Sequence, residues 1–353
     1  MRYKAAFRPR LRRATVAAML VLSTCASQRT ATVGAPEPEP AVHRAPRPIS
    51  AAEVSGHLRF LADDALEGRG MGSRGIALAA LYHESVFRSL GLEPAFAGSF
   101  RQPFPLRGST PDREPSLEIA AEQPLSFSPW EDFVVGTHLE DLQEASGELV
   151  YGGFLIEAPE HDWDDIGGAD LSDAILLVEV NEPGNAEGGI FEGTAMTYYG
   201  RWTYKFEKAS ELGARGVLII HNRVGAAYGW DVVRNSWSGE SLFVPGQHLT
   251  TGFYGWVQEP VAETILRAAG QDPAAVRARA ATREFEPVRL GLSATVRQRP
   301  TFRSLEGENV AGILRGEHPD RTERYAVVSA HYDHLGRDPQ LEGDQIYNGA
   351  VDN

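Results

Sequence analysis

The sequence predicts an α/β protein in which a mainly-β block interrupts an α/β frame. Three observations predict it. Two helical patterns fill residues 50–90, and near 109 the texture changes to short apolar runs punctuated by Pro, Gly and acids. Near 300 it changes back. Beyond that point residues 325–330 (YAVVSA) form a near-continuous apolar run, the pattern of a strand buried on both faces.

Composition sets the outer limits. The 353 residues give room for about two domains. Apolar residues are 42% and charged residues 23%, which excludes wholesale disorder and a multi-span membrane protein. The formal charge is −14, although six basic residues (Arg2, Lys4, Arg8, Arg10, Arg12, Arg13) crowd the first 13 positions. The remainder is more acidic still, so no nucleic-acid partner is expected, because a phosphate backbone demands a basic footprint. The single cysteine, Cys25, excludes an internal disulfide framework and a Cys-rich zinc module.

The elements follow in chain order. A basic start and the 11-residue apolar run 14–24 (ATVAAMLVLST) read as a signal peptide over 1–24. The run is far shorter than the ~20 residues of a spanning helix. Cys25 follows it in Leu22-Ser23-Thr24-Cys25, which looks like a bacterial lipobox, although Thr24 departs from the usual small residue there. Cys25 is thus the candidate lipidation site, and simple secretion with cleavage nearby is the alternative. Either way the chain is expected outside the cytoplasm, in the cell envelope, the periplasm or the medium. Residues 25–48, rich in Pro and Ala, read as a semi-extended tether.

Ser50-Ala-Ala-Glu53 is a capping-box pattern ahead of Val54, Leu58 and Leu61, whose spacing puts them on one helix face. Gly68, Gly70, Gly72 and Gly75 break that pattern. A second helix is predicted over 76–90, with Ile76, Ala79, Ala80, His83 and Phe87 on one side and Gly91 as its stop. On that face His83 reads as a packed core histidine rather than a ligand. In the middle block 148–154, 174–180 and 216–221 read as strands, and 205–212 and 260–269 as helices. Residues 309–314 (NVAGIL) and 325–330 are the strands of the last part. The divisions are therefore 49–108 for the first part of the frame, 109–300 for the insert and 301–353 for the return to the frame.

The chemistry gathers after the last predicted strand. His331, Asp333 and His334 follow it directly, where open α/β sheets collect ligands at the carboxyl ends of their strands. An imidazole is a good zinc ligand, and its other ring nitrogen needs a carboxylate or carbonyl to fix the tautomer, which Asp333 can supply. Asp352 then adds a carboxylate in a Gly-bearing loop. A carboxylate can bridge two metals ~3.5–4 Å apart. By spacing alone a loop polar cluster and a turn aspartate are the commoner explanations of these residues.

A family resemblance joins them. Residues 331–336 (HYDHLG) with 347–353 (YNGAVDN) resemble the first two metal-binding motifs of the M28 family of zinc peptidases. Residues 58–69 (LRFLADDALEGR), followed by Gly72-Ser73, resemble the N-terminal segment of the same family. The block containing 147–153 (GELVYGG) and 208–217 (KASELGARGV) is similar to the protease-associated (PA) domain often inserted there. Together they span about residues 49–353, in the family's order.

The resemblance implies a partial zinc-peptidase α/β/α domain carrying a PA insert. It implies His331 as a zinc ligand, Asp333 as the catalytic-site residue that holds the His331 ring, and Asp352 as the carboxylate bridging two zinc ions. His334 is implied as a structural or pocket-wall residue. The substrate would be a peptide losing its N-terminal residue, with a lipid at Cys25 as the sole membrane contact. The family's Glu pair, later acid and final His come after Asp352, so this chain is expected to lack them and to be inactive alone. Two other readings stay open: a non-catalytic PA-type interaction module, and a receptor-like relative without metals.

Overall fold

The computed structural model describes residues 48–353 except 185–188, 247–248, 317, 319–320, 322, 340 and 353. The signal peptide over 1–24, Cys25 and nearly all of the tether lie outside the described residues. Among the described residues no helix is long and apolar enough to cross a membrane.

The first part is two helices and a turn. Helix α1 (Ala51–Leu61) is followed by a 3-10 turn (Asp64–Arg69), whose start is capped by Asp63 accepting from the Ala65 amide at 2.9 Å. Ser73 caps α2 (Arg74–Ser89), and α2 closes with paired bonds from Gly91 N–H to Arg88 O and from Leu92 N–H to Phe87 O, a Schellman ending. Val54 and Leu58 share a face of α1 as predicted, yet no residue of α1 is buried. Its side chains meet α2 at Tyr82, where Phe60 stacks on the ring at 4.1 Å and His57 Nδ1 lies 2.7 Å from the hydroxyl.

The chain then enters β1 (Glu93–Pro94) and the long strand β2 (Arg101–Thr110). The middle block holds β3 (Ser116–Ala120), β4 (Leu125–Ser126), β5 (Phe133–Gly136), β6 (Glu144–Tyr151), β7 (Glu157–Ala158), β8 (Trp163–Asp164) and β9 (Ile175–Glu179). After α3 (Trp202–Glu211) come β10 (Gly216–His221), α4 (Arg223–Ala226), α5 (Trp230–Trp237), β11 (Ser241–Phe243) and β12 (Phe253–Gln258). Helices α6 (Glu259–Ala268) and α7 (Pro273–Ala280) lead to β13 (Val288–Arg297), and β14 (Thr301–Val310) returns along β2. Short pieces β15 (Gly312–Ile313), β16 (Gly336–Arg337) and β17 (Ile346–Tyr347) finish the chain.

Eight of these strands make one curled sheet in the order β4-β3-β13-β6-β9-β10-β12-β5. Its centre, β6-β9-β10-β12, is parallel, and antiparallel strands close both flanks. Alternate residues serve two cores. Leu149, Ile175, Leu177, Leu218 and Ile220 meet α6 and α7 on one face. Val150, Leu176, Val178, Val217 and Ile219 meet Phe206 and Ala209 of α3 on the other. Covered on both faces, β10 is buried at every position, which explains its unbroken GVLIIH. The block is therefore a layered α/β unit more than the mainly-β one expected. Parallel strands need crossovers, and α3 supplies the one from β9 to β10, with α4 and α5 in the one from β10 to β12.

Strands β2 and β14 pair residue by residue from Arg101↔Val310 to Thr110↔Thr301, with β11 on the outer side of β2. This ladder carries the chain into the middle block and out again. Two expectations for the last part are corrected. The 309–314 strand is broken at Ala311, with Val310 ending β14 and Gly312–Ile313 pairing with β1. Residues 325–330 form no strand. Tyr325, Val327 and Val328 are 72%, 84% and 98% exposed. A strand needs a ladder partner for its amides and carbonyls, and among the described residues none lies alongside this run.

Candidate metal site on the 331–352 loops

A small hairpin builds the site. Strands β16 and β17 pair as Gly336↔Tyr347 and Arg337↔Ile346, drawing the His331–His334 stretch and the Asn348–Asp352 stretch to one place. Beneath them lies the Asp64–Arg69 turn. Asn348 donates from Nδ2 to Ala62 O at 2.8 Å and to Asp64 Oδ1 at 2.7 Å, and the His334 amide donates to Arg69 O at 3.2 Å. The turn itself sits hard against α2: a Cβ on Gly75 would stand 1.6 Å from Leu66 O, so only glycine permits that approach.

Three of the sequence candidates converge. His331 Nε2 is 4.0 Å from Asp352 Oδ1, and His331 Nδ1 is 3.4 Å from Asp333 Oδ1. The closer partner of that Nδ1 is the carbonyl of Asp333, at 3.1 Å. His334 joins them, its Nδ1 3.6 Å from Asp352 Oδ2. The Asp352 carboxylate thus has an imidazole near each oxygen. His331 and Asp352 are largely open to solvent, whereas His334 is mostly covered.

The donor chemistry suits zinc, which takes imidazole nitrogen and carboxylate oxygen at about 2.0–2.2 Å. Two such donors on a tetrahedral ion stand about 3.4 Å apart. The 4.0 Å between His331 Nε2 and Asp352 Oδ1 asks only for a small closing of the loops. The donor number falls short. Among the described residues no group of three His, Cys, Asp or Glu is disposed to hold an ion. The residues present therefore fit part of a zinc site and not all of one.

Sequence reasoning missed the group beneath the site. Arg69 is 1% exposed, and its guanidinium donates from Nε to Tyr332 O at 2.9 Å, from Nη1 to Asn348 O at 2.9 Å and from Nη2 to Gly349 O at 3.2 Å. Nη1 also donates to Leu61 O. Burial pulls its pKa down, and the Asp333 charge opposes that pull. The available signal was an arginine set among glycines between two helices. His83 packs as expected, its ring edge-on to Tyr332 at 5.4 Å, with burial first, then His57 and Arg69, holding its pKa below the usual range. The Tyr332 hydroxyl donates to Glu308 O at 2.6 Å, fixing the loop to β14.

A second polar cluster lies at the carboxyl ends of the parallel strands. Glu179 Oε1 accepts from Tyr151 OH and from Arg277 Nε, both at 2.9 Å, and Arg277 also pairs with Glu259. Glu179 Oε1 is shared by Tyr151 and Arg277, which ties α7 to β9, while the buried Arg277 Nη2 has no hydrogen-bond partner among the described residues.

No protein-family model matches the chain, and no curated protein matches it. Solved structures do. One is an aminopeptidase from Aneurinibacillus sp. strain AM-1, at 19% identity and a TM-score of 0.36, over 73% of this chain and 46% of that one. Another is BSAP, a zinc aminopeptidase from Bacillus subtilis, at 14% identity and a TM-score of 0.29, over 74% and 46%. The chain spans about half the length of the solved structures it matches. At this level of superposition no residue correspondence follows.

Proposed function

We propose that this chain carries the first metal-holding loops of an exported zinc peptidase of the M28 type, with residues 109–300 as its PA domain. The activity is removal of N-terminal residues from peptides. The observation that supports it most is the convergence of His331, Asp333 and Asp352, far apart from α1 in sequence, on the turn that ends in Arg69. When bound, a zinc ion supplies a Lewis acid for the scissile carbonyl and an acidified water. The chain's own residues do the rest of what can be assigned. His331 Nε2 and the Asp352 carboxylate offer donors, Asp333 holds the far side of the His331 ring, and His334 steadies the Asp352 carboxylate. The ligand count requires further donors and a general base before turnover. Export and lipid attachment at Cys25 belong to the same proposal.

A non-catalytic interaction module is the second reading. The observation favouring it is that both large cores lie in the middle sheet, while the candidate site has two donors. Calorimetric titration of the full chain with zinc chloride separates the two. The metal reading expects zinc uptake that drops at least about tenfold in His331→Ala and in Asp352→Ala. Zinc uptake equal in all three proteins, or confined to a site untouched by either change, would sink it.

A further inference from the structure

Burying a guanidinium is costly, and the cost is tolerated when its hydrogen bonds are made. The bonds of Arg69 are unusual in their destination, because its four acceptors among the described residues are all backbone carbonyls. Each carbonyl has a place. Leu61 ends α1, Tyr332 stands between His331 and Asp333, and Asn348 and Gly349 begin the loop that reaches Asp352. One rigid planar group therefore gauges the distance between the two loops that carry the candidate donors. The fit is close. At Gly349, with φ of +64°, an added Cβ would lie 2.6 Å from Arg69 Nη2 and 2.7 Å from the His334 ring. The neighbouring Asn348 side chain is spent on the same turn, so the loop is held on both sides of its peptide plane.

We infer that Arg69 is the positioning residue of the site: through the Tyr332, Asn348 and Gly349 carbonyls it sets the separation and direction of His331 and Asp352. The inference rests on the metal reading for its purpose and on the hydrogen bonds alone for its geometry. Lysine should not replace arginine here. A lysine head is a point charge without the fixed fork that reaches several carbonyls in one plane. Groups that orient metal ligands without touching the metal change affinity by about 10–100-fold when removed.

The test compares the full chain with Arg69→Lys and Arg69→Ala, the latter with and without methylguanidinium. Two readouts are taken: zinc affinity by calorimetry and amide hydrogen exchange over 331–336 and 346–352. Arg69→Lys should bind zinc about 10–100-fold more weakly. Exchange in both loops should quicken by at least about tenfold, while β9 and β10 keep their protection. Methylguanidinium should restore both readouts in Arg69→Ala and neither in Arg69→Lys, whose side chain already fills the space. Unchanged loop exchange in Arg69→Lys would overturn the inference, whatever zinc does. So would loss of protection spread equally through β9 and β10, which marks a general structural role. If His331→Ala binds zinc as the wild type does, the metal reading fails, and the exchange arm still decides whether Arg69 positions the loops.

Discussion

The middle sheet and the 325–352 region are held together by different forces. In β9 and β10 every residue is buried, and the strand pair is sandwiched between α6 and α7 on one side and α3 on the other. In the other region Val327, Val328, Leu335 and Val351 stand exposed, and α1 buries nothing. What holds that region is polar: the Arg69 fork, the Asn348 amide and the two-residue pairing of β16 with β17. The middle sheet is stabilised by area removed from water. The loops are stabilised by carbonyls that only one geometry can satisfy. The first kind is non-directional, and the second fixes direction as well as distance. Candidate ligands placed on the second kind are therefore placed sharply, with little core beneath them.

The comparison breaks most visibly under truncation. Leu177→Ala removes a fully buried side chain from the sheet and should cost about 2–5 kcal/mol in urea unfolding. Val328→Ala removes a side chain that is 98% exposed and should stay within about 0.5 kcal/mol. A Val328→Ala loss as large as that of Leu177→Ala would show the 325–330 run packed against something, and the contrast would collapse.

A smaller change sharpens the polar side of the comparison. Gly75→Ala puts a methyl into the Leu66 carbonyl, and the rigid neighbour there is backbone. The Asp64–Arg69 turn must shift, at about 1–3 kcal/mol for forced overpacking. Amide exchange over 331–336 and 346–349 should rise, because those loops hang from the turn, and the protection of β6, β9 and β10 should stay. Faster exchange in the sheet with the loops unchanged would mean the turn does not carry them.

The difference in forces also explains what was legible. The strands 174–180 and 216–221 announce themselves because a strand buried on both faces must be apolar throughout, and here partners exist to bury it. Residues 325–330 carry the same signature without a neighbour, and composition cannot report a missing partner. Helix α1 shows the same limit: Val54, Leu58 and Leu61 have the right spacing, but spacing names a face and not what covers it. The candidate site was half legible. His331, Asp333 and Asp352 are found by residue type and resemblance. Arg69 was not, since its partners are four carbonyls, and an arginine among glycines does not say which backbone acceptors it meets. The parallel centre of the sheet was hidden for a related reason, because pairing direction depends on where crossovers lie.

The smallest expected effect concerns pH, and it separates the sheet from the loops by chemistry instead of packing. His221 ends β10, 5% exposed, with its Nε2 3.1 Å from Tyr228 O and the Trp230 and Trp256 rings beside it. Burial holds its pKa below the usual value of 6.5, against the pull of the Tyr228 and His221 backbone contacts and of the Glu259 and Asp231 charges. The folded protein then binds fewer protons here than the unfolded chain does once pH falls below 6.5. The stability that His221 contributes is present above that pH and is lost as pH falls through the lower folded value. His221→Gln keeps a donor for the Tyr228 carbonyl and removes the titration. Urea midpoints measured between about pH 5 and 7.5 should fall toward acid in the wild type and fall less steeply in the variant. The loss should register in the protection of β10 and β12 and leave 346–352 unmoved, since His221 touches the sheet and not the loops. Identical slopes in the two proteins would mean that the imidazole titrates as freely folded as unfolded, and that the carboxyl end of β10 is wetter than its burial indicates.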